Sequence, residues 1–279
     1  HTVDPQVRSH LNDSLRTALG MGLAFVKAIQ MVTVNCARAF NLDREIGGLA
    51  PGRRADINIT TGPQDFRVLT TFAGGRQITD NGKLLVHYET AEHEPCVLNT
   101  MHLKNPITAD SFKIHAPAGA KKVKALVMDT LPYMPFTNRR DVELPVVDGV
   151  VQCDVEQDVL YIAQVERHGK NGNVGKAFMG GFHIRGGAMA SSVGHDNHNI
   201  IVMGDSFEDM ALAVNRCVEL GGGQVIVRSG KVAAEVAYPI CGLLSDLPLD
   251  ELAEKKKELN RVAHEMGTEI AIPFMFLSF

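Results

Sequence analysis

The sequence lacks both an excess of charge of one sign and long apolar runs. Its 279 residues carry 28 basic and 32 acidic side chains, for a net charge of -4. This balance leaves no surplus of positive charge for phosphate groups, so we expect no nucleic acid partner. The apolar runs fall short of the roughly 20 residues that a bilayer-spanning helix needs, so we expect no membrane insertion.

The usual cysteine and histidine metal motifs are also missing. There is no Cys-x-x-Cys, His-x-His or His-Glu-x-x-His pattern, and the cysteine count is odd. This argues against a disulfide framework and against a thiolate metal site, and it favours a reducing cytoplasm. Residues 92–96 resemble part of the zinc nucleobase deaminase pattern, but its second cysteine would fall at Asn99. We therefore interpret them as a polar linker, and we predict no metal ligand in this sequence. The cysteines are Cys36, Cys96, Cys153, Cys217 and Cys241.

The first third of the sequence contains segments of apolar residues at regular spacing, followed by short β-rich runs. Apolar residues recur at helical spacing in residues 11–20 and 24–40, which predicts two amphipathic helices. Beyond Gly48, turn signals separate short β-rich runs, which indicates a small antiparallel β unit. The predicted strands are residues 56–60, 66–71 and 84–88.

The remainder alternates strands and helices, after an aperiodic connection at residues 89–106. Ser206 and Asp209 form a predicted capping pair for a helix that ends before three glycines at 221–223. A second helix is predicted over residues 248–267, with Lys255, Lys256 and Lys257 on its solvent face. Predicted strands cover residues 122–127, 159–166 and 200–203, and a tract rich in glycine and small residues covers 180–194.

The densest group of polar side chains lies at residues 191–199, directly before the apolar strand at 200–203. In an extended conformation, Asp196 and His198 would face one side and His195, Asn197 and Asn199 the other. That arrangement offers hydrogen-bonding and proton-transfer groups on both faces. The alternative is an Asx turn with surface histidines, because these residue types commonly satisfy backbone groups in turns.

A second glycine-containing segment, residues 166–176, imitates a phosphate-binding loop. Its lysine, Lys176, is followed by Ala177 rather than by the hydroxyl that a magnesium-binding P-loop requires. We interpret this segment as a hairpin connection, with Glu166 and Arg167 as a structural ion pair.

Two sets of motifs carry a family resemblance. Residues 28–35 and 48–56 resemble the end of the amidohydrolase barrel and its return into a flanking β-sandwich. Residues 165–168, 172–176 and 191–199 together resemble the C-terminal domain of the adenine deaminases. The implied fold is mixed α/β and β: the end of a (β/α)8 barrel at 1–47, a β-sandwich segment at 48–98, and an α/β C-terminal domain at 99–279.

The resemblance implies hydrolysis of adenine to hypoxanthine and ammonia by a barrel that holds two divalent metal ions, manganese or iron, which activate the attacking hydroxide. The family's metal ligands lie upstream of His1, so we expect this sequence to be a fragment that is inactive by itself. We expect residues 191–199 to close over the purine. The candidate catalytic residues are His195, Asp196 and His198, and the candidate substrate-binding residues are Ser191, Ser192, Asn197 and Asn199.

The expected partners are adenine and a second copy of the chain in a homodimer. Two alternatives stay open. The parent is another cyclic amidohydrolase, because residues 24–56 do not distinguish substrates, or it is an inactive relative that serves as a purine-binding or assembly module.

Overall fold

The computed structural model describes residues 10–87, 92–131 and 134–279. It is a mixed α/β structure in two compact units, which divide between residues 91 and 92. The division lies seven residues before the expected limit of the C-terminal domain at 98/99. The expected segments 1–47, 48–98 and 99–279 stay predictions.

The first unit begins with three helices, α1 (Leu11–Gly20), α2 (Phe25–Met31) and α3 (Val34–Ala39). The prediction of α1 is confirmed, and that of one continuous helix over 24–40 is wrong. The break falls at Thr33, whose backbone leaves the helical region and whose hydroxyl donates to the Ile29 carbonyl at 2.7 Å. β-Branched residues on both sides of Thr33 also disfavour a helix. Leu15, Ala28 and Phe66 form the buried core of this unit.

A four-stranded antiparallel sheet completes the first unit, which confirms the predicted antiparallel β character. Its order follows the chain. The predicted strand at 84–88 is shorter than expected, and its last residue lies outside the described residues. A third strand, rich in polar residues, was not predicted. The strands are β1 (Ile57–Thr60), β2 (Val68–Ala73), β3 (Arg76–Asp80) and β4 (Lys83–Leu84).

The second unit contains a nine-stranded sheet of order β13-β12-β10-β11-β8-β9-β5-β6-β7. All its pairs are antiparallel except β5 with β9. The three strands predicted here are confirmed, and the long strand β6 was not predicted. The strands are β5 (Lys122–Leu131), β6 (Met134–Val147), β7 (Val150–Val151), β8 (Leu160–Val165), β9 (Val174–Gly180), β10 (Gly187–Ser191), β11 (Ile200–Gly204), β12 (Gly223–Arg228) and β13 (Lys231–Ala237).

The two faces of this sheet bury separate cores. Ala188 and Ala190 of β10 belong to the core that includes α4 (Phe207–Glu219). Met189 between them belongs to the core that includes α5 (Leu249–Glu265). Because successive side chains of a strand point to opposite faces, the central strands are buried on both sides.

The N-terminus of α4 is capped as predicted at Ser206, whose side chain accepts a hydrogen bond from the Asp209 amide at 3.3 Å. The reciprocal half of the pair is wrong. Asp209 is buried, and its carboxylate accepts from the Gly230 amide at 2.9 Å. The Asp209 carboxylate, which the sequence assigned to the helix cap, therefore binds the turn after β12 instead.

The predicted solvent face of α5 also needs correction. Lys255 and Lys257 are exposed, but Lys256 is 9% exposed and donates to Gln224 Oε1. Its position four residues after Leu252 and three before Leu259 places it on the apolar face. A final helix, α6 (Pro273–Leu277), follows. No helix in the described part of the chain is long and apolar enough to cross a bilayer.

Candidate functional site

The polar segment at residues 191–199 connects β10 to β11 at one end of the sheet. Its second part is a turn and not an extended run. The His198 amide donates to the Gly194 carbonyl, and the Asn199 amide donates to Asn197 Oδ1, both at 2.9 Å. This is the Asx turn that the sequence left as the alternative. We refer to residues 194–199 as the polar turn.

The two serines that precede the polar turn are fully buried. Ser191 exchanges hydrogen bonds with the backbone of Val193. The Ser192 hydroxyl donates to the Gly242 carbonyl at 2.6 Å and accepts from the Gly223 amide at 2.7 Å. Both hydroxyls thus restrain the backbone directly before the polar turn. The predicted contact of Ser191 and Ser192 with substrate stays a prediction.

His195 and Asp196 lie at the exposed tip of the polar turn. The His195 ring stacks on Phe279, with centroids 4.3 Å apart and planes 26° from parallel. Its amide donates to the Ser278 carbonyl at 3.0 Å. One backbone bond and one ring contact therefore orient the histidine while the carboxylate beside it faces solvent.

Asn197 is held to β8 and to the loop after it. Its side-chain amide donates to Gln164 Oε1 at 3.1 Å, and its carbonyl accepts from His168 Nε2 at 3.1 Å. A carbonyl can only accept, so His168 carries a proton on Nε2. The turn is thereby fixed from the side of β8.

His198 and Asn199 are half-buried and lie at the base of the turn. The backbone of His198 is left-handed, with φ of +52°. Within the described residues, His198 Nδ1 and Asn199 Oδ1 are buried without a hydrogen-bond partner. Buried polar atoms normally have partners, and unpaired ones concentrate at functional positions.

Glu166 and Arg167 follow β8, but they do not form the ion pair that the sequence suggested. The Glu166 carboxylate accepts from backbone amides between residues 168 and 172, at 2.6 to 3.2 Å. These bonds, with that from Gly172 foremost, lower the pKa of Glu166. Arg167 is 2% exposed and donates instead to backbone carbonyls, including that of His198 at 2.5 Å. The predicted hairpin connection is confirmed over residues 166–173, between the paired ends Val165 of β8 and Val174 of β9. Residues 174–176 are part of β9.

The polar turn thus combines an exposed imidazole, a carboxylate and several amide groups. Histidine as a residue type exchanges protons near neutral pH, and the amides donate and accept hydrogen bonds. No group of three histidine, cysteine or acidic side chains within the described ranges could hold a metal ion.

Four residues whose side chains contact the polar turn were not predicted as part of the site, and neither was Ser278, which contacts it through its carbonyl. They lie near residues 164–168 and at the end of the chain. Arg167 and His168 could have drawn attention because two basic residues directly follow a buried strand. Nothing in the local sequence marks Gln164 or Phe279 as a neighbour of the polar turn. The four are Gln164, Arg167, His168 and Phe279.

The chain is similar to two known protein families. The family described as adenine deaminase C-terminal domain matches residues 135–279, just over half of the chain. The chain belongs to this family. The amidohydrolase family matches residues 6–78, which cover the helices and most of the strands of the first unit.

Curated relatives extend the similarity over almost the whole chain. The adenine deaminase of Clostridium botulinum is 41% identical over 269 residues, or 96% of this chain. The adenine deaminase of Moorella thermoacetica is 40% identical over the same length. Adenine deaminase 1 of Carboxydothermus hydrogenoformans is 41% identical over 273 residues. The chain spans only 44 to 45% of the length of these relatives.

Proposed function

We propose that this chain is part of a longer enzyme that hydrolyses adenine to hypoxanthine and ammonia. Water adds at C6 of the purine, and the exocyclic amine leaves as ammonia. The observation that carries the proposal is the similarity over 96% of the chain to relatives named adenine deaminase. The similarity spans the polar turn as well as the amidohydrolase region.

The residues described here do not provide a metal centre. The amidohydrolase family is generally metal-dependent, and no suitable group of three ligands exists among residues 10–87, 92–131 and 134–279. In this proposal the two divalent ions, manganese or iron, belong to the part of the parent enzyme outside this chain. What the present chain contributes is binding, orientation and the exclusion of water.

The polar turn is the part of the chain that we assign to the substrate. His195, Asp196 and His198 supply proton-transfer and hydrogen-bonding groups at the purine, and Asn197 and Asn199 supply further bonds to its ring nitrogens. Closure of such a segment excludes water and strengthens each polar contact inside the site. Ser191 and Ser192 support this role by fixing the backbone below the turn.

The activity is tested by ammonia release from adenine with the full-length parent protein and manganese. Guanine and cytosine serve as control substrates. We expect release from adenine alone. Release from neither adenine nor the controls would favour the inactive binding module, and release from a different cyclic substrate would favour another amidohydrolase.

The role of the polar turn is tested in the same full-length protein by the double variant His195→Ala and Asp196→Ala. We expect turnover to fall by about 100-fold or more, because misplaced or missing site groups cost this much. The variant His115→Ala, which alters an exposed histidine outside the turn, is the control. Unchanged kinetics in the double variant would remove the turn from the site.

We further propose the finer features of the parent fold and assembly. The helices α1 to α3 form the end of a (β/α)8 barrel, and β1 to β4 belong to a β-sandwich segment. The amidohydrolase match over residues 6–78 supports this assignment. A cytoplasmic homodimer is the expected form, and sedimentation of the full-length protein measures its subunit number.

A further inference from the structure

Arg167 is a buried cation with an unusual set of partners. Its side chain follows β8 and is almost completely inaccessible to solvent, and desolvation by burial lowers its pKa. Within the described structure, all of the acceptors that it reaches are neutral. Burying a charge is costly unless its hydrogen bonds are well made, so each of these contacts contributes to keeping it in place.

The guanidinium joins three separate stretches of backbone. Nε donates to the His198 carbonyl at 2.5 Å, Nη1 to the Thr100 carbonyl at 3.1 Å and Nη2 to the Cys241 carbonyl at 3.0 Å. These residues lie 31, 67 and 74 positions from Arg167 in the sequence. Because the guanidinium is a rigid plane with donors in fixed directions, it sets the position of these carbonyls relative to one another.

Glu166, the residue before Arg167, supports the contact between His168 and the Asn197 carbonyl. The Glu166 carboxylate holds the amides of the loop at 168–172, and this loop presents His168 to the Asn197 carbonyl. Two consecutive carbonyls of the polar turn, those of Asn197 and His198, are thus bound by side chains that leave the same end of β8. Side-chain hydrogen bonds therefore restrain the backbone of the polar turn at both Asn197 and His198.

The conformation of His198 needs such support. A positive φ is uncommon for residues other than glycine, and it persists where the surroundings enforce it. The side chain offers little support itself, because its Nδ1 has no partner within the described residues. The bond from Arg167 to the His198 carbonyl acts on the strained residue directly.

We propose that Arg167 is a positioning residue that holds the polar turn in the conformation required for turnover, through the carbonyl of His198. This inference rests on the proposed function, since the turn is assigned there to the substrate. Arg167 acts on the reaction through the backbone of the turn, and its loss displaces His195, Asp196 and His198 together.

The test compares Arg167→Met, Arg167→Lys and Arg140→Met in the full-length protein. Arg140 is a matched control because it also donates to two backbone carbonyls, those of Gln157 and Asp158, and pairs with Asp129. We expect Arg167→Met to lower kcat by about 100-fold with little change in KM. Arg167→Lys keeps the charge but has a single donor nitrogen in place of three, so we expect partial recovery. We expect Arg140→Met to lose stability and to keep the wild-type kcat.

Hydrogen exchange provides a second readout that does not depend on activity. We expect the amides of residues 194–199 to exchange faster in both Arg167 variants and at the wild-type rate in Arg140→Met. Wild-type exchange in the turn, or wild-type kcat in an active enzyme, would overturn the inference. If Arg167→Met does not fold, Arg167→Lys decides by the same two measurements.

The outcomes separate this inference from the proposed function. A wild-type parent that releases no ammonia from adenine contradicts the function, and exchange in the turn still decides whether Arg167 holds it. An active parent in which the double variant at His195 and Asp196 loses turnover while Arg167→Met does not contradicts the positioning role alone.

Discussion

At the scale of single residues, Lys256 of α5 is a buried lysine, with 9% of its surface exposed. Its ammonium group donates to Gln224 Oε1 and lies 5.7 Å from the centre of the Phe274 ring. Desolvation lowers the pKa of Lys256 from its ordinary 10.5 to about 8. Because the folded pKa lies below the unfolded one, the protonated lysine opposes folding. The penalty is complete below about pH 8 and disappears as the pH rises towards 10.5.

We therefore expect Lys256→Met to stabilise the protein at pH 7. A pKa shift of this size corresponds to about 3 kcal/mol, and some of it is offset by the lost hydrogen bond, so we expect a gain of about 1–3 kcal/mol. Tyr238 donates to the same Gln224 oxygen at 3.1 Å, and we expect this hydrogen bond to remain in the variant. Urea denaturation between pH 7 and pH 10 measures the effect.

Lys255→Met is the matched control for that experiment, because Lys255 is the exposed neighbour on the same helix. Its free energy of unfolding should change by no more than about 0.5 kcal/mol. The wild-type protein should gain stability between pH 8 and pH 10 relative to Lys256→Met. A variant that is less stable than the wild type at pH 7 would show that the charged lysine is better solvated than its burial indicates.

Glycines in strands give a second prediction at this scale. A Cβ at Gly204 of β11 would lie 2.6 Å from the Gly187 carbonyl oxygen and 2.7 Å from Ala188 Cβ. At Gly175 of β9, a Cβ would meet nothing within 4 Å. We expect Gly204→Ala to cost about 1–3 kcal/mol of unfolding free energy, because overpacking displaces backbone. Gly175→Ala should be neutral or slightly stabilising, and equal melting temperatures for the two variants would contradict the packing at β11.

At the scale of elements, the sequence predicts best where the determinants are local. α4 begins at the capping serine and stops before three glycines, as the pattern required. The break at Thr33 and the polar strand β3 were missed. Apolar periodicity reports neither of them. The break reflects the low helix preference of the β-branched residues around Thr33, and β3 depends on pairing with β2.

The cap of α4 makes a prediction of its own. Ser206→Ala removes the acceptor for the Asp209 amide and should lower the free energy of unfolding by about 1 kcal/mol. Ser206→Asp keeps an acceptor at the cap and should retain the wild-type value. Urea denaturation of both variants measures the difference, and an alanine variant as stable as the aspartate variant would show that the cap contributes little.

At the scale of the whole molecule, the described part of the chain contains no group of three side chains that could hold a metal ion. We expect residues 1–279 alone to release no ammonia from adenine in the presence of manganese, and the full-length parent to do so. The assay uses equal molar amounts of both proteins. Activity in the shorter chain would locate the chemistry within it and would contradict the division of roles proposed here.

Local sequence patterns suffice to predict the mixed α/β class, the serine cap of α4, the strands β5, β8 and β11, and the family motifs. These follow from residue spacing and from groups a few positions apart. Long-range packing decides that Lys256 donates to Gln224 and that Arg167 reaches three distant carbonyls. Such contacts join residues tens of positions apart, and their energies depend on burial, which the local pattern does not encode.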